Sequence, residues 1–350
     1  MDKPALTMLD YAKGMYAIAA GVATTESLMG GPPSTDLEYV LPGAKSTLTF
    51  AYALDRGAIE GFLVKEDREA HQRDNFLVNA QASGAALWMA RYLEQLGYPS
   101  SALAANNVYR ADPPYGRPAM LPDISLRYLA VRSGIGHFGL SGNVIHPVYG
   151  AAIIIGGLVT TAELSPTDPL PAEKKYCDQC RLCMASCASG MMSPQEETTV
   201  HLGGYDFTYA KRRTYFRCEY VCGGFTGLHS SGKWSTWSPG RLPIPEEDKD
   251  FMAALVQGVQ AFKGRPQIKD IGYYYPALPP TELKVQLTCG NCQLVCCPDK
   301  EERKARYQRL TQGGVVIQTP DGTLKTVTPE EAKTFMAEMD PARRKFYENN

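Results

Sequence analysis

No cysteine occurs before residue 177 of this 350-residue chain, although ten follow from there on. Structural disulfides would have no reason to avoid half of a protein, so the absence points to one metal-bearing segment and away from a cross-linked scaffold. An excess of charge is equally lacking: 36 basic against 37 acidic side chains give a formal net charge of −1, which excludes a global positive field that would draw the chain onto nucleic acid or an anionic membrane. The amino-terminal stretch has no cluster of positive charge, no twin arginine and no long uninterrupted apolar run. The expectation is therefore a cytoplasmic protein without a membrane partner. In a reducing cytosol ten thiols stay free unless a metal takes them.

The remaining pattern reads as mixed α/β. The stretches "STLTFAYAL" (46–54) and "AAIIIGGLVT" (151–160) are short, β-branched and apolar, as suits strands covered on both faces. Between residues 76 and 98, Phe76, Leu77, Ala80, Leu87, Trp88, Met89, Leu93 and Leu96 are dense enough to predict a largely buried helix ended by Gly97 and Pro99. "RSGIGHFGLSGNVIHPVYG" has five glycines and a proline, too many breakers for a regular element, and reads as a binding loop. "SPTDPLP" (165–171) interrupts every periodic pattern and marks the best boundary. The expected division is a cofactor or substrate domain over 1–170, a cysteine-bearing domain over 171–305 with an inserted segment at about 190–285, and a carboxy-terminal hairpin and helix over 306–350. In the last part "GVVIQTPDGTLKTVT" reads as the hairpin, and Thr328 to Glu331 as a capping box.

"CDQCRLCMASC" carries the chemistry. Cys177, Cys180, Cys183 and Cys187 have the bacterial ferredoxin spacing, in which three thiolates hold three irons of one [4Fe-4S] cube and the fourth reaches to another. The second group, "CGNCQLVCC", offers the return leg through Cys289, Cys292 and either Cys296 or Cys297. With Cys218 or Cys222 the count reaches eight ligands, enough for two clusters. The interval after Cys292 favours Cys296, whereas the following Pro298 favours Cys297. Structural zinc also accepts four thiolates, but it usually spaces two pairs apart without adding a third cysteine two residues later. An electron carrier needs only a small domain, so the long segment before the first cysteine must bind a partner, a cofactor or a substrate.

With these residues in view, the chain resembles the cobalamin-dependent iron-sulfur reductases, the family that includes epoxyqueuosine reductase and the reductive dehalogenases. "LPGAKSTLTFAYAL" looks like the family's Pro-Gly-Ala-Lys segment leading into a strand, "RYLAVRSGIGHFGLSGNVIHPVYGAAIIIGGLVTTAEL" looks like its glycine-rich signature, and the paired cysteine motifs follow in the family's order, from about Leu41 to Asp299. The resemblance implies an α/β (α+β) fold, a nitroreductase-like corrinoid-binding domain followed by a bacterial-ferredoxin-like two-cluster domain. It implies two [4Fe-4S] clusters passing electrons to cobalamin. It matches Cys177, Cys180, Cys183 and Cys296 to one cluster and Cys187, Cys218, Cys289 and Cys292 to the other, with Cys222 and Cys297 as alternates. Gly134, Gly136, His137, Gly139, Asn143 and Gly150 fall in the corrinoid-loop signature. Two departures matter: Met120 stands where epoxyqueuosine reductases carry an acidic proton donor, with Asp123 close but out of register, and Leu140 replaces a lysine of their signature. These departures point to a reductase of a small organic substrate, served by a donor such as ferredoxin or flavodoxin, with an epoxyqueuosine-type transfer-RNA enzyme and an iron-sulfur protein that activates a corrinoid on a partner as the alternatives.

His137 and Tyr273 are the expected proton donors, since imidazole and phenol can both protonate a carbanion. The ordinary reading of His146 is a hydrogen-bonded loop histidine. Tyr205, Tyr209, Tyr215 and Tyr220 read mainly as packing, "KRRTYFR" (211–217) as a solvated face, and Trp234 and Trp237 as cover for a cofactor or core.

Overall fold

The computed structural model describes residues 3–105, 109–112, 121–268 and 288–348. Met120 and Tyr273 lie outside the described residues. The fold is mixed α/β, in two compact units assembled from alternating segments: residues 1–54, 74–180 and 197–210 form one, and residues 55–73, 181–196 and 211–350 the other.

The first unit is organised by a four-stranded sheet in the order Ala19–Thr24, Ser46–Ala53, Ile153–Thr160, Ser100–Leu103. Every neighbouring pair is antiparallel, with Ala19 opposite Ala51, and both Ser46 and Ser100 opposite Thr160. The two central strands are buried along nearly their whole length, which accounts for their unbroken apolar composition. Consecutive glycines on strand Ile153–Thr160 admit a helix on each face. A Cβ at Gly156 would stand 2.9 Å from the Ala82 carbonyl oxygen of helix Arg68–Gln95, and one at Gly157 would stand 3.2 Å from the Leu126 side chain of helix Leu126–Arg132. On the Leu126–Arg132 side the core runs through Leu129, Val131, Ile135, Phe138 and Val159, and takes in Phe207 and Tyr209.

Helix Arg68–Gln95 departs from the sequence expectation. Its buried side is built from Val78, Ala82, Ala85, Ala86, Met89, Ala90 and Leu93, while Phe76, Leu77, Leu87 and Trp88 are exposed. The segment is apolar on two faces, and this chain covers only the one with the smaller side chains.

In the second unit, Tyr220, Phe225, Leu242, Phe251 and Leu255 form a core between helices Phe216–Cys222 and Phe251–Lys263. Helix Arg56–Val64 lies along helix Lys300–Gln312, with Arg56 3.4 Å from Glu302. The hairpin Val315–Gln318 with Leu324–Val327 is present, and the capping box at Thr328 and Glu331 opens helix Pro329–Glu338. The ribbon of Met192–Leu202 and Tyr205–Arg212 shares its residues between the units, its turn end belonging to the first and its base to the second.

Candidate iron-sulfur site and the glycine loop

All ten cysteines are free thiols. In the second unit three separate segments bring five of them together. The Thr288 hydroxyl donates to the Val221 carbonyl at 2.8 Å, tying the 289–292 segment to helix Phe216–Cys222. The Asn291 amide donates to the Ser186 carbonyl at 3.5 Å, tying the same segment to the one carrying Cys187. Cys187, Cys222, Cys289 and Cys292 consequently all fall within electrostatic reach of Cys218. Burial first, then the neighbouring thiols, pushes Cys218 and Cys289 well above the usual thiol range. Cys222 is pushed up to about 12, by burial and then by Glu219.

Cys187 is among the influences on Cys218 and Cys289. The Cys222 thiol donates to the Cys289 carbonyl at 3.7 Å, and Cys218 is the position expected beside Cys187, Cys289 and Cys292. Cys297 lies beside Arg306, Glu302, Arg303 and Asp299, and its thiol donates to the Asp299 carbonyl at 3.4 Å. Thiols so enclosed resist ionising in water-poor surroundings, and cationic irons remove that penalty by binding the deprotonated form. The donor set fits a cubane on that ground. The Met191 N–H at 3.5 Å and the Ser189 hydroxyl at 3.3 Å also approach the Cys187 sulfur. Among the described residues no group of three or more His, Cys, Asp or Glu side chains is arranged to hold a single metal ion.

Cys177 and Cys180 belong to the first unit, Cys183 and Cys296 to the second. Within the first unit, Cys177 is docked on the glycine loop. The Leu140 N–H donates to the Cys177 sulfur at 3.3 Å, the Tyr176 N–H to His137 Nε2 at 3.3 Å, and the Tyr176 hydroxyl to the His146 carbonyl at 2.6 Å. The Leu140 carbonyl accepts from the Ala210 N–H at 2.9 Å. The Leu140 peptide is thus fixed through its backbone, a role indifferent to whether leucine or lysine stands there.

His137 is buried, and burial with the nearby Lys175 charge lowers its pKa to about 4, so it is neutral with its proton on Nδ1. It positions the Tyr176 peptide. His146 is lowered by burial, and its Nδ1 accepts from the Val148 and Tyr149 N–H groups at 3.1 and 3.3 Å, the loop role expected of it. The glycines have a different reason from the one their pattern suggests. A Cβ at Gly136 would stand 2.6 Å from the Ile145 carbonyl oxygen, one at Gly139 would overlap the Ile145 side chain, and one at Gly134 would overlap the Asp168 carbonyl. Gly142 and Gly150 serve turns at φ +70° and +68°. The spaces left by Gly134, Gly136 and Gly139 are filled by the chain itself, which accounts for the lack of side chains at these three positions. The Asn143 carbonyl accepts from the Gly139 N–H at 3.0 Å, closing the loop's turn.

Other residues find plain partners. Tyr209 shares a 2.8 Å hydrogen bond with the Tyr128 hydroxyl, Tyr215 accepts from Arg212 at 3.0 Å, and Tyr220 is pushed up to about 12 by burial. Arg217 is buried against Asp248 at 2.9 Å, so the basic run is not simply a solvated face. Trp237 donates to the Phe62 carbonyl at 2.9 Å and Trp234 stacks on His229. Burial raises the Asp123 carboxyl pKa, against the pull of the Ile124 N–H at 2.7 Å and of Arg110. No helix among the described residues is long and apolar enough to cross a membrane.

No protein-family model matches the chain. The epoxyqueuosine reductase of Gloeobacter violaceus is 27% identical over 180 residues, 50% of this chain and 50% of that protein. Among solved structures, a catabolic reductive dehalogenase aligns with 87% of this chain and 33% of its own at 13% identity and a TM-score of 0.48. Epoxyqueuosine reductase from Streptococcus thermophilus aligns with 53% of this chain and 52% of its own at 15% identity and a TM-score of 0.35. The chain thus spans about half the length of the curated relative it matches. Over that half it is similar in sequence to an epoxyqueuosine reductase, a member of the family that its cysteine and glycine motifs resemble.

Proposed function

We propose that the protein is an iron-sulfur reductase in which two [4Fe-4S] clusters deliver electrons to a corrinoid for reduction of a small organic substrate. The observation that carries this reading is the convergence of Cys187, Cys218, Cys289 and Cys292 from three segments, alongside a ferredoxin-spaced run whose first thiol is anchored to the glycine loop. Bound clusters supply one-electron transfer, and a bound corrinoid supplies the two-electron centre for bond cleavage. The chain's own part is to hold thiolates in an enclosed site, to direct the Leu140 and Met191 N–H groups at sulfur, and to supply the proton. Reductive cleavage of a carbon–heteroatom bond consumes two electrons and a proton, the electrons coming from a ferredoxin or flavodoxin. Asp123 is the acid that the described residues favour.

The corrinoid rests on the resemblance. The test is anaerobic reconstitution with iron, sulfide and cobalamin followed by metal analysis. About eight irons and one cobalt per chain are expected. Eight irons without cobalt would replace this reading with an electron carrier or an activator of a corrinoid held by a partner, and absence of iron would end it. A second reading, a transfer-RNA-modifying reductase acting in the cytoplasm, is favoured by the sequence match to epoxyqueuosine reductase. Transfer RNA retained by the purified protein would select it over the small-substrate reading.

A further inference from the structure

The uncovered face of helix Arg68–Gln95 has an internal symmetry. Its exposed side chains include Phe76, Leu77, Ala80, Leu87 and Trp88, with Gly84 among them. Phe76 is 59%, Leu77 57%, Leu87 52% and Trp88 74% exposed. At about 100° per residue these positions and Gly84 fall within roughly a third of the helix circumference. They are also palindromic about Ala82: Phe76 mirrors Trp88, Leu77 mirrors Leu87, and Ala80 mirrors Gly84. Arg73 and Arg91 bound the stripe at mirrored positions, Arg91 held 3.0 Å from Glu94.

Gly84 is a second, independent sign. Glycine inside a helix costs about 1 kcal/mol relative to alanine. Yet a Cβ at Gly84 would meet nothing within 4 Å, so no atom of this chain uses the space. A small residue at the middle of an apolar stripe admits the close approach of another helix backbone.

We propose that this face is the interface of a two-fold homodimer, in which the helix crosses its own copy antiparallel about Ala82. Phe76 and Leu77 of each copy then meet Trp88 and Leu87 of the other, and the Ala80 and Gly84 positions form the close crossing. The four large side chains expose on the order of 400–500 Å² of apolar surface per chain, taking the aromatics at about 150–250 Å² each. Two copies bury about twice that, an apolar centre suited to an interface of roughly 1,200–2,000 Å² once its polar rim is added. A two-fold interface requires one surface to be complementary to itself, and a palindromic stripe meets that requirement where a one-ended one would not.

Sedimentation of the cluster-loaded protein over a wide dilution series tests the proposal, with Trp88→Glu and Gly84→Leu compared with Met252→Glu, a control on the exposed side of helix Phe251–Lys263. Leucine at 84 adds helix propensity and its Cβ meets nothing within 4 Å, and an unchanged urea midpoint in that variant separates loss of association from loss of folding. The expected result is twice the chain mass for the unaltered protein and the control, with the dissociation constant raised about thirtyfold or more by either test substitution. A single-chain mass at every concentration, or a dimer indifferent to both substitutions, would overturn it.

Discussion

Cys218 and Cys222 stand one helical turn apart on the same face of helix Phe216–Cys222, and the Cys222 thiol donates to the Cys289 carbonyl. Cys218→Ser is expected to remove about four irons per chain on metal analysis, and Cys222→Ser to retain them. Retention of full iron by Cys218→Ser would reverse that assignment. His137→Phe should keep the ring packed edge-on to Tyr176 but orphan the Tyr176 N–H, lowering the urea midpoint by the equivalent of about 1–2 kcal/mol with iron content unchanged. The grouping of the cysteines was legible in the sequence because ferredoxin spacing is local. The choice between Cys218 and Cys222, or Cys296 and Cys297, was not, because it depends on hydrogen bonds such as Thr288 to Val221 that join residues 67 apart.

Among the elements, the glycine loop shows how a correct pattern can carry a different cause. The sequence marked Gly136 and Gly139 as positions that exclude a side chain, and the structure shows the excluding atoms to be those of Ile145. Gly136→Ala should therefore cost about 1–3 kcal/mol in denaturant unfolding even in protein free of any cofactor. Loss confined to cobalamin-loaded protein would restore a macrocycle as the neighbour. The central strands and the last hairpin were legible because each has one period and close turn signals. The ribbon Met192–Leu202 was not, because its middle residues are exposed on both faces and burial is confined to Met192 and Ser193 at one end and Val200 and Leu202 at the other. Helix Arg68–Gln95 was legible as a helix and misread as largely buried, since apolar density records that a face wants cover without saying which molecule provides it.

At the scale of the whole molecule, buried histidines tie stability to pH. His71 is buried against Phe62, and burial lowers its pKa from 6.5 to about 4. Between those values the unfolded chain binds a proton that the folded chain refuses, so the stability is fully present above the unfolded value and is lost as pH falls toward 4. Unfolding at pH 7 and pH 5 should show that His71→Leu removes about 2 kcal/mol of the difference between the two conditions. An unchanged difference would mean that His71 does not carry it. His137, His146 and His229 are shifted in the same direction and will keep the remaining slope positive.

The interleaving of the two units also sets a clock on synthesis. The strand Ser46–Ala53 and the segment Glu197–Ala210 belong to one unit, so that unit is incomplete when residue 170 leaves the ribosome. Cys187 precedes Cys289 and Cys292 by about a hundred residues, roughly 5–20 s at about 5–20 residues per second. Through that interval the early thiols are without the later ones that the finished fold sets beside them. Loading of the cubane proposed beside Cys187 would therefore be an event of the completed chain, and a nascent chain stalled before residue 289 exposes thiols open to oxidation or to the wrong metal.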